Sequence, residues 1–156
     1  MLSKKSISKM RYNNVNDSED TKMKITGEAT FSLNLENTVK INLDTNDCSS
    51  NSPLEFDLVA YALYGETIFE NILRDDLGVP LIVLEIKTNK GSFSVVRQPE
   101  YLRETHFGTR YLAKEVLGYK EDQTEYPSLS KETYNELLKS KLDLSFEEFK
   151  ALVKKN

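Results

Sequence analysis

The stretch GVPLIVLEIKTNKGSFSVV, Gly78 to Val96, constrains the fold more than any other part of the chain. Two apolar runs flank Thr88-Asn89-Lys90-Gly91, a composition that turns the chain back on itself. Its register follows from the side chains. Pairing Lys87 with Ser92 sets Ile86 against Phe93, Glu85 against Ser94 and Leu84 against Val95. A slip of one residue would set Lys87 against Phe93 and Ile86 against Ser94. The first register keeps apolar against apolar and is the one expected.

A second hairpin is expected over MKITGEATFSLNLENTVKINLDT. Phe31, Leu33 and Leu35 alternate with Ser32 and Asn34, and Val39, Ile41 and Leu43 with Lys40 and Asn42. Period 2 places each apolar set on one face. Glu36-Asn37-Thr38 supplies the turn. DTNDCSSNSP then reads as a loop, because its residues bond their own backbone.

Residues 54–64 admit two readings. Leu54, Phe56, Leu58, Ala60, Ala62 and Tyr64 alternate without a miss, which predicts a strand. Ser52, Pro53 and Glu55 offer a helix start. The apolar face switches at Gly65, so a strand broken there and followed by a helix over ETIFENILRDDL, capped by Gly78, is the favoured reading.

Helices are expected over most of the remainder. QPEYLRETHFGTRYLAKEVLGY reads as one helix or two, with Thr109 as an N-cap and Gly118 as a stop. SLSKETYNELLKSKL carries Tyr134, Leu137, Leu138 and Leu142 on one face, entered through Ser130. In LSFEEFKALVKKN, Ser145 and Glu148 form a capping box, and Lys154 and Lys155 suit the C-terminal end of the dipole. The fold class expected is α+β: an antiparallel β-sheet packed by helices, with a helical C-terminal third. Residues 1–22 read as a flexible polar tail, 23–118 as the core domain, and 119–156 as a C-terminal helical hairpin.

Composition narrows the function classes. A formal net charge of −4 disfavours, without excluding, a nucleic-acid partner, which calls for a basic surface. The single cysteine, Cys48, excludes an internal disulfide and a cysteine zinc cluster, and points to a reducing, cytoplasmic setting. Asp44 and Asp47 beside it would raise its pKa and leave it unreactive. The opening residues lack the apolar core of a secretory signal, and no run approaches the ~20 apolar residues of a membrane helix. The glycines are scattered, so no phosphate-binding loop is present. His106 is the only histidine and cannot form a histidine metal cluster.

Glu85-Ile86-Lys87 ends an apolar strand. Residues two apart on a strand face the same way, so both charges would point together. GVPLIVLEIK, followed by Gln98 and Tyr101, resembles the core signature of the PD-(D/E)XK nuclease superfamily. The resemblance implies Mg²⁺ held by Glu85 and one upstream acid, Glu70, Asp75 or Asp76, with Lys87 orienting the attacking water. Against it, the segment carrying those acids has helical spacing, and Gln98 and Tyr101 stand three apart across Pro99. The alternative is a polar stripe on a hairpin whose other face is core, and that reading is favoured.

VKINLDT with LEFDLVAYALYGE resembles the second and third strands of the SecB export-chaperone family, which implies polypeptide binding. No nucleophile, metal cluster or cofactor loop appears. The expected function is a non-enzymatic intracellular protein-binding protein: an accessory factor, inhibitor or adaptor. It would bind through Tyr61, Tyr64, Tyr101 and Tyr111, needing neither cofactor nor metal. The metal-dependent nuclease stands as the alternative.

Overall fold

The computed structural model describes residues 23–31, 34–69 and 78–155. The expected polar tail, 1–22, lies outside the described residues. The fold is α+β, as expected. Six antiparallel strands form one sheet in the order β2-β1-β3-β4-β7-β8. They are β1 (Met23–Phe31), β2 (Asn34–Asp44), β3 (Pro80–Thr88), β4 (Gly91–Gln98), β7 (Val116–Glu121) and β8 (Thr124–Tyr126). A separate two-stranded ribbon, β5 (Tyr101–Glu104) and β6 (Arg110–Ala113), is inserted between β4 and β7. Among the described residues there are three helices: α1 (Pro53–Tyr64), α2 (Lys131–Lys141) and α3 (Phe146–Lys155).

The β3–β4 register is the expected one, with Lys87 opposite Ser92, Ile86 opposite Phe93, Glu85 opposite Ser94 and Leu84 opposite Val95. Ile82, Leu84, Ile86, Phe93 and Val95 are buried, while Val83, Glu85 and Lys87 are exposed. The sheet is therefore one-sided, with a core face and an open face. β1 threads between β2 and β3, with Ile25 opposite Leu43 on one side and Ile86 on the other. At Gly27 the strands come close. A Cβ there would press on the Val83 carbonyl oxygen and lie 2.8 Å from Leu84 Cα. The β1–β2 reversal comes earlier than Glu36-Asn37-Thr38. β2 already begins at Asn34, and the register jumps between Thr30 and Phe31.

Residues 54–64 are helical, which corrects the expected strand and removes the likeness to the third SecB strand. Ser52 Oγ accepts from Glu55 N at 3.2 Å, and Glu55 Oε1 accepts from Ser52 N at 2.8 Å. Pro53 opens the helix, and Gly65, with φ of 76°, ends it in the left-handed region. The alternation misled because Phe56 to Leu63 are all buried. α1 lies on β3 and β4 and is covered by α2 and α3. A helix buried all round has no polar face to reveal its period.

Nor do residues 66–69 form a helix, although the break at Gly65 is real. The backbone N–H groups of Ile68 and Phe69 donate to the buried Asp57 Oδ1 at 2.6 and 2.8 Å. Residues 70–77, the rest of that expected helix, lie outside the described residues. The helices expected over 98–119 are also corrected: this stretch forms the end of β4, the ribbon and the start of β7. Gly118 pairs with Val96 inside the sheet and stops no helix.

β7 runs across residue 118, and the helical C-terminal segment begins at Lys131. α2 starts at Ser130, whose Oγ accepts from Thr133 N at 3.2 Å, and buries Tyr134 and Leu138. α3 carries the expected capping box: Ser145 N donates to Glu148 Oε1 at 2.9 Å, and Glu148 N to Ser145 Oγ at 3.1 Å.

Candidate functional site

β4 and β7 are neighbours in the sheet, yet the chain leaves one and enters the other by way of the ribbon. The root of this excursion is held by charge. Arg97, on the core face of β4, is only 3% exposed. Its Nε donates to Glu115 Oε2 at 2.9 Å. Tyr61 of α1 donates its hydroxyl to the same carboxylate oxygen at 2.7 Å. The guanidinium carbon lies 4.7 Å from the Tyr61 ring centroid and 5.4 Å from that of Tyr134. Two aromatic faces thus hold the cation in place of water. Tyr134 is anchored in turn by its hydroxyl, which donates to Ala62 O at 2.6 Å.

Burial alone would raise the Glu115 pKa. Hydrogen bonds from Tyr61 and Arg97, with the charges of Arg97 and Lys131, outweigh it and hold the carboxyl below its ordinary value. The Tyr61 hydroxyl moves up, first because it is buried and then because it donates to Glu115. Arg97 Nη1 is buried without an acceptor. Opposite the guanidinium stands Gly65, where a Cβ would come within 2.9 Å of Nη2.

Beyond this root the chain stands in solvent. Every residue from Leu102 to Leu112 is exposed. The strands pair Tyr101 with Ala113, Leu102 with Leu112, Arg103 with Tyr111 and Glu104 with Arg110. Period 2 then places Leu102 and Leu112 on one face, and Tyr101, Arg103 and Tyr111 on the other. Leu102 is 66% exposed and Leu112 55%. The tip is ordered by its own hydrogen bonds. Thr105 N donates to Thr109 O at 2.8 Å, and Thr105 Oγ1 accepts from Phe107 N at 3.3 Å and from Thr109 N at 3.2 Å. Gly108 takes the left-handed conformation the turn requires, with φ of 79°. Phe107 is thereby held 95% exposed.

A second feature lies beside the root. α1, α2 and α3 enclose a cleft of ≈510 Å³, with Leu63, Tyr64, Leu138, Leu142, Leu144 and Phe146 in its wall. Lys139, Asp143 and Glu148 lie at its polar margin.

The four tyrosines of the expected binding surface are not brought together. Tyr61 and Tyr64 point inward; the Tyr64 hydroxyl donates to Leu144 O at 2.6 Å, and its ring packs on Phe146 and Phe149. Tyr101 is half-buried on the ribbon, and Tyr111 is exposed there. Sequence reasoning passed over Leu102, Phe107, Leu112, Arg97 and Glu115. The signal for Phe107 was available: a phenylalanine in Thr-His-Phe-Gly-Thr sits in a turn and not in an apolar period.

Glu85 and Lys87 lie on the open face of the sheet. Glu85 is flanked by Thr26 and Ser94, and Lys87 by Lys24 and Ser92. Gln98 ends β4 opposite Val116, and Tyr101 belongs to the ribbon. Glu70, Asp75 and Asp76 lie outside the described residues. Among the described residues no group of three or more His, Cys, Asp or Glu side chains is placed to hold a metal. His106 is exposed at the ribbon tip. Cys48 is buried, and burial comes first in raising its thiol pKa, with the charges of Asp47 and Asp44 adding to it.

Fold and site define a one-sided antiparallel α+β protein that carries a solvated β-ribbon pinned by a buried ion pair. No protein-family model and no curated protein matches the chain. No helix among the described residues is long and apolar enough to cross a membrane.

Proposed function

We propose that the chain is a non-enzymatic protein-binding protein, an accessory factor, inhibitor or adaptor, whose contact element is the ribbon from Tyr101 to Ala113. One observation carries this reading. Of the large hydrophobic residues exposed among the described residues, Leu102, Phe107, Tyr111 and Leu112 belong to this one ribbon. An isolated two-stranded ribbon is marginally stable in water, and apolar side chains on it gain little until something covers them. The ordered tip also lowers the entropy cost of docking Phe107, which favours it as an anchor. The open face continues the surface beyond the root, where Val83 pairs with Val96 and Val116 with Gln98.

Contact by side chains suits this surface better than strand addition. The outer edge of β2 is engaged at Asn42, whose carbonyl accepts from Asn51 Nδ2 at 3.0 Å. The opposite edge, β8, has 3 residues and is followed at once by Pro127. The test is capture from the native host with the intact chain and with a Leu102→Ser, Phe107→Ser variant. Both positions are exposed, so the variant should fold normally and lose the captured protein. Equal recovery by the two chains would remove the ribbon from this role.

A further inference from the structure

We propose that the cleft between α1, α2 and α3 is the seat of the chain's own N-terminal segment: Ile7 and Met10 fold back into it and cover its apolar wall. This seat does not depend on what the ribbon binds. The point at which the chain enters the sheet supports it. A second hollow of ≈340 Å³ adjoins the cleft and shares Asp143, Leu144 and Glu148 with its wall. Met23, the first residue of β1, lines this second hollow together with Thr45 and Asn89. The 22 residues before Met23 therefore leave from one end of a groove whose other end is walled by Leu138, Leu142 and Phe146.

Length and side chains suit the groove. Residues 11–22 separate Met10 from Met23. A stretch of that length reaches up to about 40 Å when extended, ample for two adjoining hollows. Ile7 and Met10 are apolar and three apart, and an unbranched methionine fills irregular space. On a separate peptide, two such side chains would bind weakly. Joined to Met23 by a short linker, they face the cleft at an effective concentration in the millimolar range. A second copy or another protein at ordinary concentration does not match that. Charge does not choose the occupant. Asp143 is already paired with Lys90 at 2.7 Å, and Glu148 accepts from Ser145 N at 2.9 Å. Apolar burial and the tether hold the segment, so added salt should leave it seated.

An occupied cleft excludes other apolar ligands until the segment is released. It also touches the root of the ribbon. Tyr134, which packs on Arg97, and Leu138, which lines the cleft, lie one turn apart on the same face of α2. The seated segment thus braces the helix that holds the ribbon in place.

The experiment is photo-cross-linking of the full chain with Met10 replaced by photoreactive p-benzoylphenylalanine. Irradiation should join this position to residues 63–64 or 138–146, which wall the cleft. The product should have the mass of one chain, and its yield should not change on dilution or with added salt. Asn135→Arg, at an exposed position on α2 that lines the cleft, should lower the yield severalfold. A companion chain keeps Met10, carries the probe at Ile7 and should mark the same residues, so a poor fit at one anchor does not decide the result. Cross-links that fall elsewhere from both positions, or a yield indifferent to Asn135→Arg, overturn the proposal. So does a product with the mass of two chains, which would give the cleft to a second copy. The ribbon's role is read separately, by capture with the Leu102→Ser, Phe107→Ser chain, so either reading can fail while the other stands.

Discussion

Arg97 and Glu115 meet at 2.9 Å across the root of the ribbon, one at the end of β4 and the other just before β7. The pair is charged, nearly dry and flanked by two tyrosine rings. Such a pair adds little over a well-packed apolar alternative, but losing one member strands the other. Here the stranded group would be Arg97, whose Nη1 already lacks an acceptor. Glu115→Ala is expected to cost about 3 kcal/mol, the low end of the range for breaking a buried pair, because the Glu115 side chain keeps 18% of its exposure. Urea unfolding measures it. A loss under about 0.5 kcal/mol, the ordinary surface value, would show that the root is not clamped by charge.

The same cluster sets limits in pH. The Glu115 carboxyl is held below its ordinary 4.5, so it contributes stability that is present above pH 4.5 and lost as pH falls through the folded value. Glu115→Gln should flatten this acid limb. Tyr61, Tyr64 and Tyr134 are displaced the other way from their ordinary 10, chiefly by burial. A phenol whose folded value is raised contributes stability that is fully present below pH 10 and lost as pH rises through the folded value. Unfolding midpoints should thus be level between about pH 6 and 9 and fall on both sides. Tyr134→Phe, though less stable overall, should show a shallower alkaline decline. An unchanged alkaline slope in that variant would mean that other groups set the limb.

What the sequence disclosed depended on whether a face was shared between core and water. β3 and β4 were legible down to their register because Ile86 and Phe93 are buried while Glu85 and Ser94 are not. The capping box at Ser145, the helix start that Ser52, Pro53 and Glu55 offered and the break at Gly65 were also visible, since each is local chemistry. α1 was hidden by its own burial on every side. The ribbon was hidden for the opposite reason: with both faces in water, Leu102, Arg103, Glu104 and Arg110 show no period at all, and their helix-forming side chains suggested α. Arg97 could not have been singled out, because Tyr61, Glu115 and Tyr134 reach it from three distant segments. Tyr61 and Tyr64 read as contact residues by type, yet their hydroxyls are spent on Glu115 and on the Leu144 carbonyl.

Gly65 combines two demands that can be separated by substitution. Its φ of 76° requires a residue that tolerates the left-handed region, and its missing Cβ leaves room for Arg97 Nη2. Asparagine meets the first demand but not the second. If only the backbone mattered, Gly65→Asn would cost little and Gly65→Ala about 1 kcal/mol. With the guanidinium in the way, both variants should lose more than that, and the loss should shrink when Arg97 is replaced by Met. A double-mutant cycle in thermal or urea unfolding reads the coupling. Strict additivity would show that Arg97 yields to the new side chain at no cost.

Glu85 and Lys87 allow a test of the expected polar stripe. Both lie on the open face in register with Thr26, Ser94, Lys24 and Ser92. Exposed charges of this kind contribute little, since water screens them and neither is buried with a partner. Glu85→Gln and Lys87→Ala should each stay within about 0.5 kcal/mol of wild type and leave ribbon-dependent capture unchanged. Adding Mg²⁺ should shift the unfolding midpoint of wild type no more than that of Glu85→Gln. A midpoint that rises with Mg²⁺ in wild type alone would reveal an ion bound at Glu85, because a ligand that binds only the folded chain stabilises it in proportion to its occupancy. That result would transfer the functional centre from the ribbon to the open face of the sheet.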